Sequence, residues 1–146
     1  MYVDESGFER AVTRNYGYAP KGQRVYGLRS GNRRPRTSLL AAKTPGQPLA
    51  ATMLFEGTCN TLVFNAWVEQ FLVPLLSENH VVVMDNAIFH KSQRTKDLIT
   101  ATGATLLFLP PYSPDLNPIE KAFAHLKRFR EFNESLPLEQ VIQWCN

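Results

Sequence analysis

The sequence predicts an α/β domain with a mixed five-stranded sheet, an antiparallel meander followed by parallel strands, flanked by helices. Three observations carry that expectation. Before residue 56 short apolar runs are broken by Gly and Pro; from Asn60 the apolar spacing lengthens to that of a helix; thereafter compact apolar runs alternate with helical segments. With 146 residues the chain fits one domain, 1–146, and at this size roughly 68–70% of the unfolded surface is buried on folding.

Met1-Tyr-Val-Asp-Glu5 reads as a short strand, closed by a turn at Ser6-Gly7. A second turn at Ala19-Pro-Lys-Gly22 leads into an exposed strand over 23–28 and a basic loop. Residues 37–42 and 49–55 read as buried strands joined across Lys43-Thr-Pro-Gly-Gln-Pro48. Leu62, Phe64, Trp67, Val68, Phe71, Leu72 and Leu75 then recur at helical spacing behind Asn60 or Thr61 as N-cap, with Trp67 and Phe71 facing the core. Pro74 loosens the last turn of that helix, because it has no N–H to donate.

Val81-Val-Val-Met84 is the continuous apolar run of a parallel strand buried on both faces, and it ends at Asp85. A helix over 92–102 follows, with Ser92 as N-cap and Gly103 beyond its end, then a strand over 105–109. Four prolines within residues 110–118 remove donors and restrict their neighbours, so this stretch is a shaped loop. A helix over 118–130 buries Ile119, Ala122, Phe123, Leu126 and Phe129, and a short one spans 138–144.

Composition narrows the function classes. Apolar residues at 44% and charged residues at 20% are globular values, and no apolar run approaches the ~18 residues of a membrane span. Met1 is followed by no basic and apolar leader pattern, which gives the expectation of a cytoplasmic, nucleoid-associated protein with no membrane partner. Cys59 and Cys145 match no metal-ligand spacing and read as reduced thiols. The net charge is only +3, but it is segregated: between Glu9 and Glu56 every charged residue is basic. Lys21, Arg24, Arg33, Arg34 and Arg36 in that stretch are candidates for contacts to a phosphate backbone, against the plainer reading of a solvated basic face.

Three acidic residues stand where catalytic groups are expected: Asp4 on the first strand, Asp85 at the carboxyl end of a parallel strand, and Glu120 at the start of a helix. Carboxylate oxygens are the hard ligands that Mg²⁺ and Mn²⁺ favour, and a pair of such ions suits phosphodiester chemistry. Each acid also has a structural reading. Asp85 suits a strand-ending turn. Asn117 as N-cap with Pro118 at the first helical position puts Glu120 in a capping-box arrangement. Alternation alone does not say whether Asp4 or its neighbour Glu5 points inward.

Taken together, Asp4-Glu-Ser-Gly-Phe8, Asp85-Asn-Ala-Ile-Phe-His90 and Pro111-Tyr-Ser-Pro-Asp-Leu-Asn-Pro-Ile-Glu120 resemble the signature blocks of the IS630 branch of the IS630/Tc1/mariner DDE transposases. Tyr18-Ala-Pro-Lys-Gly22 resembles that family's aromatic-x-Pro-x-Gly stretch, and the 34 residues between Asp85 and Glu120 are similar to its DD34E spacing. The resemblance implies a ribonuclease-H-like fold in which Asp4, Asp85 and Glu120 bind two Mg²⁺ ions, with Mn²⁺ as substitute, and Asn86, His90 and Asn117 stand beside them. It further implies cleavage and strand transfer of an insertion sequence at a short TA-containing target, by a homodimer on paired ends of double-stranded DNA. The helix-turn-helix domains such transposases carry have no counterpart in residues 1–146; the open expectations are a second reading frame served by a separately encoded helix-turn-helix domain, a fragment, or a decayed copy. A nuclease of the same fold without strand transfer, and an inactive DNA-binding remnant, are the alternative readings.

Overall fold

The computed structural model describes residues 1–9, 19–24, 36–111 and 113–145. The expected strand over 23–28, Tyr18, Arg33, Arg34 and Tyr112 lie wholly or mostly outside them. Five strands, β1 (Tyr2–Phe8), β2 (Thr37–Lys43), β3 (Leu49–Glu56), β4 (Val81–Met84) and β5 (Thr105–Phe108), form one sheet in the order β3-β2-β1-β4-β5. β1–β2 and β2–β3 are antiparallel, whereas β1–β4 and β4–β5 are parallel. The expected mixed sheet is therefore present, with β1 at its centre.

Helices cover both faces. On one, α1 (Thr61–Trp67) and α2 (Gln93–Thr100) bury Phe64, Trp67 and Ile99 against Val3, Leu40, Ala42, Val82 and Met84. On the other, α3 (Ile119–Phe132) and α4 (Leu138–Cys145) bury Ile119, Phe123, Leu126, Val141 and Ile142 against Phe8, Leu39, Ala41 and Leu49. The period-2 alternation of a strand sends successive residues of β1 and β2 to these two cores, so five consecutive residues of β2, Ser38 to Ala42, are buried. No helix among the described residues is long and apolar enough to cross a membrane.

Local chemistry explains the element ends. Asn60 accepts from the Val63 N–H at 3.0 Å and Ser92 from the Thr95 N–H at 3.1 Å, capping α1 and α2. Gly103, with φ +81°, supplies the left-handed residue after α2. Pro74 sits in a 3-10 turn over Val73–Leu75, as its missing N–H requires.

Three expectations are corrected. Ser6-Gly7 does not turn: β1 continues to Phe8 because β2 pairs with it along its whole length, and Gly7 admits the Arg36 guanidinium where a Cβ would clash. Phe71 is not core but 38% exposed, because α1 passes into a π turn over Val68–Leu72 whose wider i→i+5 geometry rotates later side chains. Leu62, on the predicted apolar face, is 80% exposed at the first turn.

β3 carries a bulge. Leu40 pairs with Met53 and Ala42 with Ala50, so Ala51 and Thr52 together oppose Ala41. Ala51 takes φ +50°, and its carbonyl accepts from the buried Trp67 indole N–H at 2.6 Å. A left-handed Ala is strained, by roughly 1–2 kcal/mol. Ala51→Gly relieves the strain and keeps the carbonyl in place; after the entropy cost of Gly, a net gain of about 0.5 kcal/mol is expected. Urea denaturation checks this, and a loss of stability would show that the Ala51 methyl's packing outweighs its strain.

Candidate active site

The parallel register pairs Tyr2 with Val83 and Val3 with Met84. Residues in register on parallel neighbours point to the same side, and Val3 and Met84 both enter the α1–α2 core. One step further along each strand, Asp4 and Asp85 turn to the opposite side, toward α3. This resolves the ambiguity at the first acid. Glu5 points the other way, where Ser38 Oγ donates to it at 3.1 Å and Arg36 lies 3.7 Å away.

The third acid arrives through the loop that follows β5. The Leu109 N–H donates to the Met84 carbonyl at 2.8 Å, and the Asn86 side-chain amide donates to the Leu109 carbonyl, binding the ends of β4 and β5 together. A 3-10 turn over Pro114–Leu116 then delivers α3, with Glu120 exposed in its first turn. Asp4, Asp85 and Glu120 thus line one cavity of about 430 Å³, with Asn86, Ser113, Asn117 and the wall Leu109-Pro110-Pro111.

Each aspartate is held by donors of its own. Asp4 Oδ1 accepts from the Glu5 N–H at 2.8 Å and Oδ2 from the Asn117 amide at 2.9 Å. Asp85 Oδ1 accepts from the Ala87 N–H at 2.9 Å and lies 2.6 Å from His90 Nδ1. His90 is only 1% exposed, wedged between Phe64 and Phe89. It is therefore not a surface histidine but a buried support for Asp85.

Among the described residues no three His, Cys, Asp or Glu side chains form a group tight enough to hold one metal ion. The three carboxylates face one cavity and stand apart within it. Like charges resist closer approach, and the separate donors hold Asp4 and Asp85 where they are.

The remaining candidates divide. Lys21 and Arg24 are exposed at a turn closed by the Gln23 N–H to the Pro20 carbonyl, 3.0 Å. Arg36 faces Glu5 and packs over Gly7, on the side of the sheet away from Asp4, so its charge is partly engaged. Sequence reasoning missed Lys91, an exposed cation close enough to Asp85 to favour its charged form. Asn117, expected both as the N-cap of α3 and beside the acids, does not cap the helix; its side chain reaches β1. The signal for Lys91 was its place one residue after the His90 block.

The two aspartates titrate in opposite directions. Burial, then the charges of Asp85 and Glu120, push Asp4 up to about 6 against the opposing Glu5 N–H bond. The hydrogen bond from His90, then the Ala87 N–H, hold Asp85 below the usual carboxylate range despite its burial. A carboxyl raised in the fold contributes stability that is complete below its unfolded value near 4 and lost as pH rises through about 6. Asp4→Asn should therefore stabilise the chain in EDTA by on the order of 2 kcal/mol near pH 8, with the advantage gone near pH 4. Urea melts at the two pH values check this; a pH-independent difference would refute it.

The family model for DDE superfamily endonucleases matches residues 1–140. Among solved structures, the mariner Mos1 paired-end complex with Mg aligns at TM-score 0.69 and 21% identity, covering 87% of this chain and 40% of that one. The Mos1 transposase paired-end complex with left transposon end aligns at 0.67 and 19%, covering 88% and 41%. The catalytic core domain of BIV integrase aligns at 0.50 and 16%, covering 78% and 73%. No curated protein matches. The chain spans about two fifths of the Mos1 chains, and at these identities the likeness is one of fold, the ribonuclease-H-like sheet shared by transposase and integrase cores. On the family match, which covers nearly its whole length and bears out the resemblance read from its three acidic blocks, the chain belongs to the DDE superfamily endonucleases.

Proposed function

We propose that this chain is the catalytic core of a Tc1/mariner-type transposase of the IS630 kind, which cleaves DNA at the ends of an insertion sequence and joins the freed ends to a target. The observation that carries the proposal is the register of β1 on β4, which sets Asp4 beside Asp85 on the side where α3 brings Glu120.

The donor set fits a divalent cation. All three side chains are hard carboxylate donors, and burial, then the charges of the other two acids, raises Asp4, a penalty that a bound cation offsets. Asp4, Asp85 and Glu120 are the proposed ligands of Mg²⁺, with Mn²⁺ as substitute and two ions as the proposed number. Bound there, the metal supplies activation of the attacking oxygen and stabilisation of the leaving one.

The chain's own residues supply orientation. His90 fixes one oxygen of Asp85 and leaves the other free; Leu109, Pro110 and Pro111 line one side of the cavity; Lys91 offers a positive charge beside Asp85. Water and then a freed 3′-hydroxyl attack phosphodiesters in line in this reading. Lys21 and Arg24 are exposed for backbone phosphates, and Arg33, Arg34 and Arg36 complete the proposed DNA contacts. The proposal extends to a single catalytic domain over residues 1–146, a homodimer on paired DNA ends, end recognition by a helix-turn-helix domain, and a place at the nucleoid.

Nicking of a terminal-repeat oligonucleotide in Mn²⁺ or Mg²⁺ tests the chemistry. Loss of about a thousandfold is expected for Asp85→Asn, the equivalent of roughly 4 kcal/mol of charge stabilisation. Undiminished nicking by that variant would remove the mechanism. Nicked but unjoined products would identify a nuclease without strand transfer, and DNA binding without nicking an inactive remnant.

A further inference from the structure

We infer that Asn117 is a positioning residue of the candidate centre: its side-chain amide ties the Asp4 carboxylate on β1 to the turn that opens α3, and so sets how Asp4 and Glu120 face a shared cation. The inference deepens the proposed function and rests on its metal-binding part.

Three observations support it. Asn117 is 4% exposed, and its Nδ2 donates to Asp4 Oδ2 at 2.9 Å across 113 residues of sequence. Against the ionised carboxylate, the form that would bind a cation, the amide has one workable orientation, since the reverse sets its oxygen against a carboxylate oxygen. In that orientation Oδ1 is buried with no hydrogen-bond partner, an arrangement that packing alone does not favour. Finally, an Asn just before the first turn of a helix is well suited to cap it, yet Oδ1 caps nothing and α3 begins without a side-chain cap. Local helix stability is given up for a long-range contact, as happens where function overrides propensity.

The geometry gives that contact a use. The Glu5 N–H occupies Asp4 Oδ1 and the Asn117 amide occupies Oδ2. Each oxygen therefore has one fixed donor and keeps acceptor capacity for a cation. His90 plays the corresponding part for Asp85. Without Asn117 the Asp4 carboxylate keeps only the Glu5 N–H as donor, and α3 loses its polar tie to the central strand.

The test compares the wild-type chain with Asn117→Ala and Asn117→Ser, the latter keeping a polar group with shorter reach should the alanine variant fail to fold. Mn²⁺ affinity is measured by calorimetry, and the ¹³C resonance of the Asp4 carboxyl is followed in EDTA. The expected result is native helix content, Mn²⁺ affinity weakened about tenfold, and a displaced Asp4 resonance. Wild-type affinity in a folded variant, or an unmoved Asp4 resonance, overturns the inference. A wild-type chain that binds no more Mn²⁺ than Asp85→Asn sinks the functional proposal instead, and the Asp4 resonance then decides this inference alone.

Discussion

The pairing of β1 with β4 is the constraint on which the site depends. Only Tyr2 with Val83 and Val3 with Met84 are in register, so the parallel contact is short. Its position nonetheless decides everything beyond it. A slip of one residue would send Asp4 to the α1–α2 side and bring Glu5 to the cavity, because side chains alternate with a period of two. Burial fixes the register on both faces at once. Val3 and Met84 fill one core while Phe8, six residues after Tyr2 and on the same side as Asp4, fills the other. The acids are therefore placed by apolar side chains that never touch the reaction.

That division of labour extends to the rest of the fold. β2, buried on both faces, anchors the antiparallel half; the bulge at Ala51 bends β3 and offers a carbonyl to Trp67, so the largest buried side chain leaves no polar atom unpaired. Asn65 accepts from Ser92 at 2.7 Å and from Thr95 at 2.8 Å, joining α1 to the start of α2. Rigid packing of this kind is what holds a carboxylate and its supporting imidazole within the narrow tolerance a reactive site needs.

Much of this was legible in the sequence, and the rest was hidden for definable reasons. Strand and helix periods located all five described strands and all four helices, because apolar burial writes its period directly into the chain. The continuation of β1 through Ser6-Gly7 was hidden, since the partner that overrides a local turn signal lies more than 30 residues away in β2. So was the exposure of Phe71, because the π turn changes the helical period before Pro74, the nearest breaker, is reached. In the site, the acids were named by the blocks around them, but which of Asp4 and Glu5 faces the cavity is a matter of register between strands and not of either residue. Of the two readings of Asn117, helix cap and neighbour of the acids, the second is the one the fold selects: its local preference and its long-range partner compete, and the long-range partner wins.

The same competition explains why the three carboxylates face one cavity without closing upon one another. Burying Asp4, and then gathering the other acids near it, costs electrostatic energy, visible in its raised titration, and a fold built from apolar layers alone has no means to meet that cost. The chain meets it with a distinct donor for each aspartate: a buried imidazole from the turn after β4, and an amide from the turn before α3. Both donors come from segments that follow parallel strands, where the open end of an α/β sheet leaves room for polar groups. The arrangement keeps charge concentrated at the sheet's open end while leaving oxygen lone pairs uncommitted, and that combination of crowding with spare acceptor capacity is what a site for a hard divalent cation requires.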